Sequence, residues 1–489
     1  MAKFYVTTAI DYVNAKPHIG HAYEKIVGDV LARWHRFLGE DVYFLTGTDE
    51  NAQKNAQAAK EAKIPTKTFI DKNSAAFKHL CEKLHLSNDD FIKTTEERHV
   101  KVAQQIFTDL ARKGDIYKGT YEGLYCVGCE AYYSEKDLIN GKCQEHNTEP
   151  QWIKQESYFF KMSKYQDKIL KLLKSGTFVL PPGKCQEMLN RIETEGLKDL
   201  CVSRYGADWG IEVPIDKQHK IYVWIDALSN YISALGYPDG AEFKKYWPAD
   251  VHLIGKGINW FHSVIWPALL FALGAKQPKL ILVHGYLTVE GKKMSKSLGT
   301  SVDPVELVDK YGVDALRYFL LREIPLWQDG DYSEQALKNR LNNELNNDLG
   351  NLVSRVLTLT EKNFPMVKKI AVDTTLSKQF DLEAIKKHII SFDLHFALAE
   401  IWKFVHAANR YVNEQKPWES KGETLQKQIY TLLESLRILS ILLQAFIPET
   451  AQKTQKQLGV KEGTFKDCTF GKVASYKITK GENLFQKIP

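Results

Sequence analysis

The chain has 489 residues, 44% hydrophobic and 26% charged, with a formal net charge of +6. That composition excludes a disordered or fibrous protein, and the length exceeds what one hydrophobic core serves, so two to four domains are expected. The charge permits a polyanionic partner without arguing for one, and nothing approaches the roughly 18 uninterrupted apolar residues of a membrane span or the apolar core of a signal peptide. Seven cysteines are too few and uneven for a disulfide scaffold. Three of them cluster, which points to a reducing, cytoplasmic setting and a metal site.

The segment FYVTTAI (4–10) is β-branched and aromatic and about one strand long. The loop DYVNAK follows, and Pro17 is placed at the first turn of a helix, where its missing N–H costs nothing. Ile19, Ala22, Ile26, Val30, Leu31 and Trp34 recur at helical spacing, and Gly39 ends the run. DVYFLTGTD (41–49) is a second buried strand, which completes a parallel βαβ unit. The pattern returns with KIYVWID (220–226) as a strand, DVHLIGKG (250–257) as another, the helix INWFHSVIWPALLFALG, and the strand KLILVHGYL (279–287). The expected fold class is therefore α/β, a Rossmann-type doubly wound parallel sheet interrupted by an insertion near 115–215. After about 330, amphipathic helices take over, and LLESLRILSILLQAF (432–446) places Leu432, Leu436, Leu439, Leu443 and Phe446 on one stripe, as in a helix bundle.

Three motifs carry chemistry. KPHIGHAYEK (16–25) sets His18 and His21 three residues apart at a helix N-terminus, where N–H groups and the helix dipole favour an anion such as phosphate. On this motif alone, two polar histidines at an exposed helix start remain the favoured reading. VEGKKMSKSLG (289–299) gathers Lys292, Lys293 and Lys296 after the last strand. Mobile lysines suit charge that builds up on phosphates, although a solvated lysine-rich loop is common. Cys126-x2-Cys129, then thirteen residues, then Cys143-x2-His146 has the ligand spacing of a closed tetrahedral zinc site. A redox C-x-x-C is the alternative, against which the second half argues.

HIGH after the first strand and KMSKS after the last are the paired signatures of the class I aminoacyl-tRNA synthetases. DYVNAKPHIGHAY, FLTGTDENA, YVWIDALSNY, HLIGKGINWFHSVIWPA, GKKMSKSLGT, DALRYFLLREIP and NDLGNLVSR resemble the methionyl-tRNA synthetase family across nearly the whole chain. The isoleucyl, valyl and leucyl enzymes look similar around both signatures but carry a large editing insertion, for which this length leaves no room. A cysteine-specific enzyme would use zinc in its substrate pocket, whereas here the ligands cluster in the insertion. A synthetase-like tRNA-binding protein without catalysis is the other rival, and the intact signatures argue against it.

The resemblance implies ATP-dependent activation of L-methionine and its transfer to tRNA(Met), with one structural zinc ion on Cys126, Cys129, Cys143 and His146 and Mg²⁺ carried by ATP. His18, His21, Lys293 and Lys296 would be catalytic. Gly20, Gly255, Lys256 and Ser295 would complete the ATP site. Ala9, Ile10, Tyr12, Asp49, Trp224, Ala227, Leu228, Tyr231, Ile258 and His262 would hold methionine, with Asp49 on its ammonium. Asn351, Arg355 and Trp418 would read the anticodon. The expected boundaries are 1–115 and 215–288 for the two halves of the catalytic domain, 116–214 for the connecting insertion with its zinc knuckle, 289–345 for the lysine loop and a stem-contact region, 346–475 for the helical anticodon-binding domain and 476–489 for a C-terminal tail. The ending NLFQKIP resembles the point where the family's core stops, so a monomer is expected. The chain departs from the family pattern at Asn51 and Ala52 (for His and Gly), Gly257 (for Asp) and Thr300 (for Asn), and Asp11 puts a carboxylate between two pocket residues.

Overall fold

The computed structural model describes residues 2–127, 131–133, 135, 138–143, 147–293 and 301–488. At its centre is a parallel sheet of β1 (Lys3–Thr8), β2 (Asp11–Tyr12), β3 (Asp41–Asp49), β4 (Asp90–Lys93), β5 (Val179–Leu180), β6 (Val251–Gly255) and β7 (Ile281–His284). The spatial order is β5-β7-β6-β1-β3, with β2 and β4 also on β3, and every pairing is parallel. A parallel sheet needs crossovers and burial on both faces, and β1 and β3 are buried along most of their length.

Thr7 pairs with Leu45, but Asp11 pairs with Thr48. The chain therefore slips by one residue at Ala9 and Ile10, and β2 continues β1 along β3 past a bulge. Bulges re-aim side chains at the rims of sheets, and Ala9 and Ile10 line the main cavity.

Helix α1 (Ile19–Phe37) buries Ile19, Ala22, Ile26, Val30, Leu31 and Trp34, the residues picked out by spacing. Its N-cap is His18, so Pro17 precedes the helix and does not occupy its first turn. α2 (Gln53–Glu61) follows β3. The expected strand at 220–226 is corrected: Asp216–Ile221 belongs to a small antiparallel sheet, and α3 (Val223–Ser233) begins directly after it. Every residue of α3 is buried, so no polar face reveals its helical period, and a short apolar run is ambiguous between helix and strand. β5, at the sheet's edge, comes from within the segment read as insertion, and two residues are too short to show a period.

α4 (Trp266–Leu273) leads to β7, and beyond it lie α5 (Val313–Glu323), α6 (Asn351–Asn363), α7 (Leu394–Gln415) and α8 (Gly422–Leu443). One apolar core joins α1 and one sheet face to the helical region, and a second joins α3, α4 and the folded part of the insertion. The stripe expected on α8 is buried, but so is every residue from Gln428 to Leu443. The outward face is covered by the C-terminal segment, through Arg437 to the Asp467 carbonyl (2.7 Å) and Tyr430 to the Val473 carbonyl (2.8 Å). Among the described residues, no helix is long and apolar enough to cross a membrane.

Candidate active site

A cavity of about 370 Å³ opens at the carboxyl ends of β1, β3 and β6, where open α/β sheets bind ligands. His18 and His21 stand on its wall at the start of α1. The Gly20 N–H donates to His18 Nδ1 (3.1 Å) and the His18 N–H donates to His21 Nδ1 (3.0 Å), a reciprocal cap that satisfies orphan donors of the first turn. Burial, and then the neighbouring His21, hold His18 well below the usual histidine range, and burial followed by the Lys25 ammonium pulls His21 down to about 3. Both rings are therefore neutral near pH 7. With Nδ1 accepting in each, the single proton sits on Nε2. The helix start thus offers two fixed Nε2–H donors on rings stacked 3.8 Å apart.

The other end of the cavity is apolar and aromatic. Trp224 stacks on Phe261 at 3.7 Å and meets Tyr12 edge-on at 6.4 Å. His262 lies in a π-helical turn, Phe261–Ile265. Its Nδ1–H donates to the Ile258 carbonyl (2.9 Å), so its Nε2 accepts from the Tyr231 hydroxyl (2.7 Å). Burial pushes His262 down to about 4, so the ring stays neutral. The two polar groups satisfy each other and leave a site suited to an unbranched, polarizable, uncharged side chain. Ala9, Ile10, Ala227, Leu228 and Ile258 complete the wall.

Asp49 ends β3 and also faces the cavity. It does not cap α2, whose N-cap is Ala52. The wall also carries charge: Asp11 and Glu24 line the cavity, and Lys25 Nζ contacts Asp11 (2.9 Å), Glu24 (3.1 Å) and the Ala9 carbonyl (2.6 Å), while Glu24 reaches His284 at 3.0 Å. Burial lifts Asp11 to about 6 against the pull of Lys25. Burial also works against Glu24, but Lys25 and His284 outweigh it and hold the group near 2. The unusual carboxylate at position 11 is thus matched by an unusual buried lysine.

The chain matches the family model for class I tRNA synthetases (M) at residues 4–149 and 129–357. It is 46% identical to a methionine–tRNA ligase of Caldanaerobacter subterraneus subsp. tengcongensis, over 99% of this chain and 79% of that one. It is also 46% identical to one of Brucella suis, over 94% and 92%. The structure superposes on Mycobacterium tuberculosis methionyl-tRNA synthetase in complex with methionyl-adenylate with a TM-score of 0.95 at 39% identity, covering 99% of this chain and all of that one. The chain belongs to the methionyl-tRNA synthetase family. It is an aminoacyl-tRNA ligase with the class I fold.

Several family positions depart from the pattern, and the structure accounts for some of them. In this synthetase Asn51 is buried and donates to the Thr94 carbonyl and to Asp226, both at 2.9 Å. Asp226 in turn meets His99 at 2.5 Å, and His99 meets Ser233 at 2.8 Å. An amide at position 51 therefore completes a satisfied polar network that ties β3 to α3. Lys256 does not line the cavity; its ammonium holds both oxygens of Asp329 at 2.7 Å. Gly255 and Gly257 do line it. Ser295, Lys296, Thr300 and the side chain of Lys293 lie outside the described residues, as do Cys129 and His146. Cys126 and Cys143 are buried, reduced, and end neighbouring strand segments, Ile116–Cys126 and Lys142–Cys143. The Asn147 N–H donates to the Cys143 carbonyl at 2.7 Å. Two buried, unoxidised thiols fit a thiolate–imidazole zinc knuckle. A separate donor cluster, Glu156, Asp216 and His219, is bridged by Lys118, which lies 2.7 and 3.3 Å from its two carboxylates.

In the helical region, Arg355 on α6 donates to Asn413 on α7 at 2.8 Å, which brings two distant motifs, NDLGNLVSR and NEQKPW, together. Asn351 is exposed on the first turn of α6, and Trp418 follows α7 with 53% of its surface free. The sequence reading missed four cavity neighbours. Lys54 lies 3.2 Å over the Tyr12 ring, Phe261 backs Trp224, His252 meets Thr7 at 2.7 Å beneath Tyr231, and Tyr286 stands at the rim. Lys54 lies one helical turn into the segment after Asp49 and could have been found by that spacing. The others carry no local pattern.

Proposed function

We propose that this methionine–tRNA ligase runs both of its half-reactions in the one cavity, with methionine against the aromatic end and the ATP phosphates at the start of α1. The observation that carries this reading is the pair of neutral Nε2–H donors placed next to an apolar pocket in which Tyr231 and His262 satisfy each other. Asp49 would take the substrate ammonium. The methionine carboxylate attacks the α-phosphorus of ATP, the bond to the bridging oxygen breaks, and pyrophosphate leaves. The 3′-terminal ribose hydroxyl of tRNA(Met) then attacks the adenylate and releases AMP. No protein nucleophile is required. His18 and His21, with Lys293 and Lys296 brought over the site, stabilise charge where it builds up, and Mg²⁺ travels with the nucleotide. Asn351, Arg355 and Trp418 would read unstacked anticodon bases, for which amide, guanidinium and indole are suited. The protein is proposed to act as a cytoplasmic monomer. In ATP–pyrophosphate exchange across the twenty amino acids, methionine alone is expected to support turnover; exchange driven equally by another amino acid would overturn the assignment.

Cys126, Cys129, Cys143 and His146 would hold one structural Zn²⁺, which when bound cross-links the insertion. Purified protein is expected to carry one zinc per chain and to lose thermal stability on chelation. A metal-free preparation with unchanged melting would refute the site.

A further inference from the structure

Gly257 lies at the carboxyl end of β6, in the turn Lys256–Ile258, and faces the cavity. Its backbone is not in the left-handed region, so no conformational demand explains a glycine there. Space does. A Cβ at 257 would stand 2.0 Å from the hydroxyl oxygen of Tyr286 and 3.2 Å from Cζ. The phenol occupies the volume that any larger side chain at 257 would need.

Tyr286 is anchored from several sides. Its N–H donates to Asp329 (2.8 Å) and its carbonyl accepts from the Gly330 N–H (2.8 Å). The Lys256 ammonium sits 4.6 Å from the ring centroid, fixed by both oxygens of Asp329. Asp329 therefore aligns the backbone beneath the ring and the cation above it. Swinging the ring away to admit a side chain at 257 would give up the cation contact.

Several of the cavity's polar groups have places of their own. The imidazole donors stand at the helix start, Asp49 ends β3, and Tyr231 and His262 satisfy each other. The rim formed by Gly255, Gly257 and Tyr286 offers a phenol hydroxyl to the sugar of a nucleotide whose phosphates reach α1. We propose that Tyr286 is a nucleotide-contacting residue whose hydroxyl takes over, from the side chain that position 257 lacks, a hydrogen bond to one ribose hydroxyl of ATP. This rests on the placement of ATP given above. A carboxylate accepts on two oxygens and can hold both hydroxyls of a ribose; a phenol is neutral, has one oxygen, and both donates and accepts. The exchange removes a negative charge from the neighbourhood of the triphosphate and confines sugar recognition to one hydroxyl.

Methionine-dependent pyrophosphate exchange with ATP, 2′-deoxy-ATP and 3′-deoxy-ATP tests this in the wild type and in Tyr286→Phe, which keeps the ring under Lys256. One of the two deoxynucleotides is expected to show a KM about 3- to 10-fold above that of ATP in the wild type, as for one neutral hydrogen bond. Tyr286→Phe is expected to raise the ATP KM by a similar factor, leave the methionine KM unchanged, and abolish that deoxynucleotide's penalty. Gly257→Asp alone is expected to raise the ATP KM at least tenfold, and adding Tyr286→Ala to recover most of it. An unchanged ATP KM in Tyr286→Phe, penalties that simply add, or a wild-type Gly257→Asp enzyme would overturn the proposal. Failure of the underlying ATP placement would show separately, as wild-type exchange in variants of His21.

Discussion

Replacing Arg317 with methionine is expected to destabilise the protein by about 3–5 kcal/mol, the cost of breaking a buried ion pair from one side. Arg317 is on α5 and fully buried. Its guanidinium donates to Asp29 on α1 (2.7 Å), to the Leu84 carbonyl (3.1 Å), and to the carbonyls of Ala445 (3.3 Å) and Phe446 (2.8 Å) just beyond α8. One side chain therefore joins α1 to the segment that follows α8, and methionine would fill the volume while leaving three carbonyls without their donor. Asp29 keeps Arg33 (2.7 Å) and two bonds from Ser87 (2.6 Å each), so the loss falls mainly on the α5–α8 junction. Urea unfolding followed by fluorescence measures it; a change below about 1 kcal/mol would show that the junction does not depend on this residue. The pH dependence has a definite sign. Burial raises the Asp29 carboxyl, but Arg317, Arg33 and Ser87 outweigh it and hold the group below its ordinary value. Its contribution is complete above the unfolded pKa and is lost as pH falls through the lower folded one, so the gap between the variant and the wild type narrows in acid without closing.

His21→Ala and Lys296→Ala are each expected to slow adenylate formation about 10²–10³-fold, the typical cost of removing one donor from a developing oxyanion, with little change in the methionine KM. Both are proposed to act on the same phosphates, so the double variant is expected to lose less than the product of the two single losses. His21 also helps cap α1, and its removal is expected to cost about 1 kcal/mol of stability on its own account. That loss separates from the kinetic one by measuring both. Since His21 is held near 3, the exchange rate should show no histidine titration between pH 6 and 9. A decline through pH 6.5 would mean that a cationic imidazole does the work, and wild-type exchange in Lys296→Ala would remove the lysine from the mechanism.

The opening histidines show where sequence reasoning reached and where it stopped. Their place after a strand and at a helix start was legible, because a strand of β-branched residues and a 3–4 apolar repeat are local signals. Their protonation was not. It depends on two backbone N–H groups occupying Nδ1 and on burial beside Lys25, which comes from folding α1 against β2. The same division runs through the substrate pocket. Trp224, Tyr231 and His262 became candidates only through family resemblance, since taken alone each reads as core. The tertiary structure set the Tyr231–His262 bond, placed Phe261 behind Trp224, and brought both to the bulge at Ala9 and Ile10.

The misread segment at 220–226 has the same origin. α3 is buried on every side, so its sequence shows no amphipathic period, and packing alone chose helix over strand. α8 was placed correctly for its stripe, yet its opposite face is apolar too, because a C-terminal segment more than twenty residues on covers it. By itself the sequence determined the class of fold and the family, and it supplied the phosphate and zinc motifs on which the proposed chemistry rests, because those rest on residue types at short spacings. The tertiary structure decided which nitrogen carries each proton, how Asn51 and Asp11 are accommodated, and which side chain fills the space beside Gly257. Each of these is a contact between residues far apart in the chain, and a one-dimensional pattern carries no record of what will lie beside what.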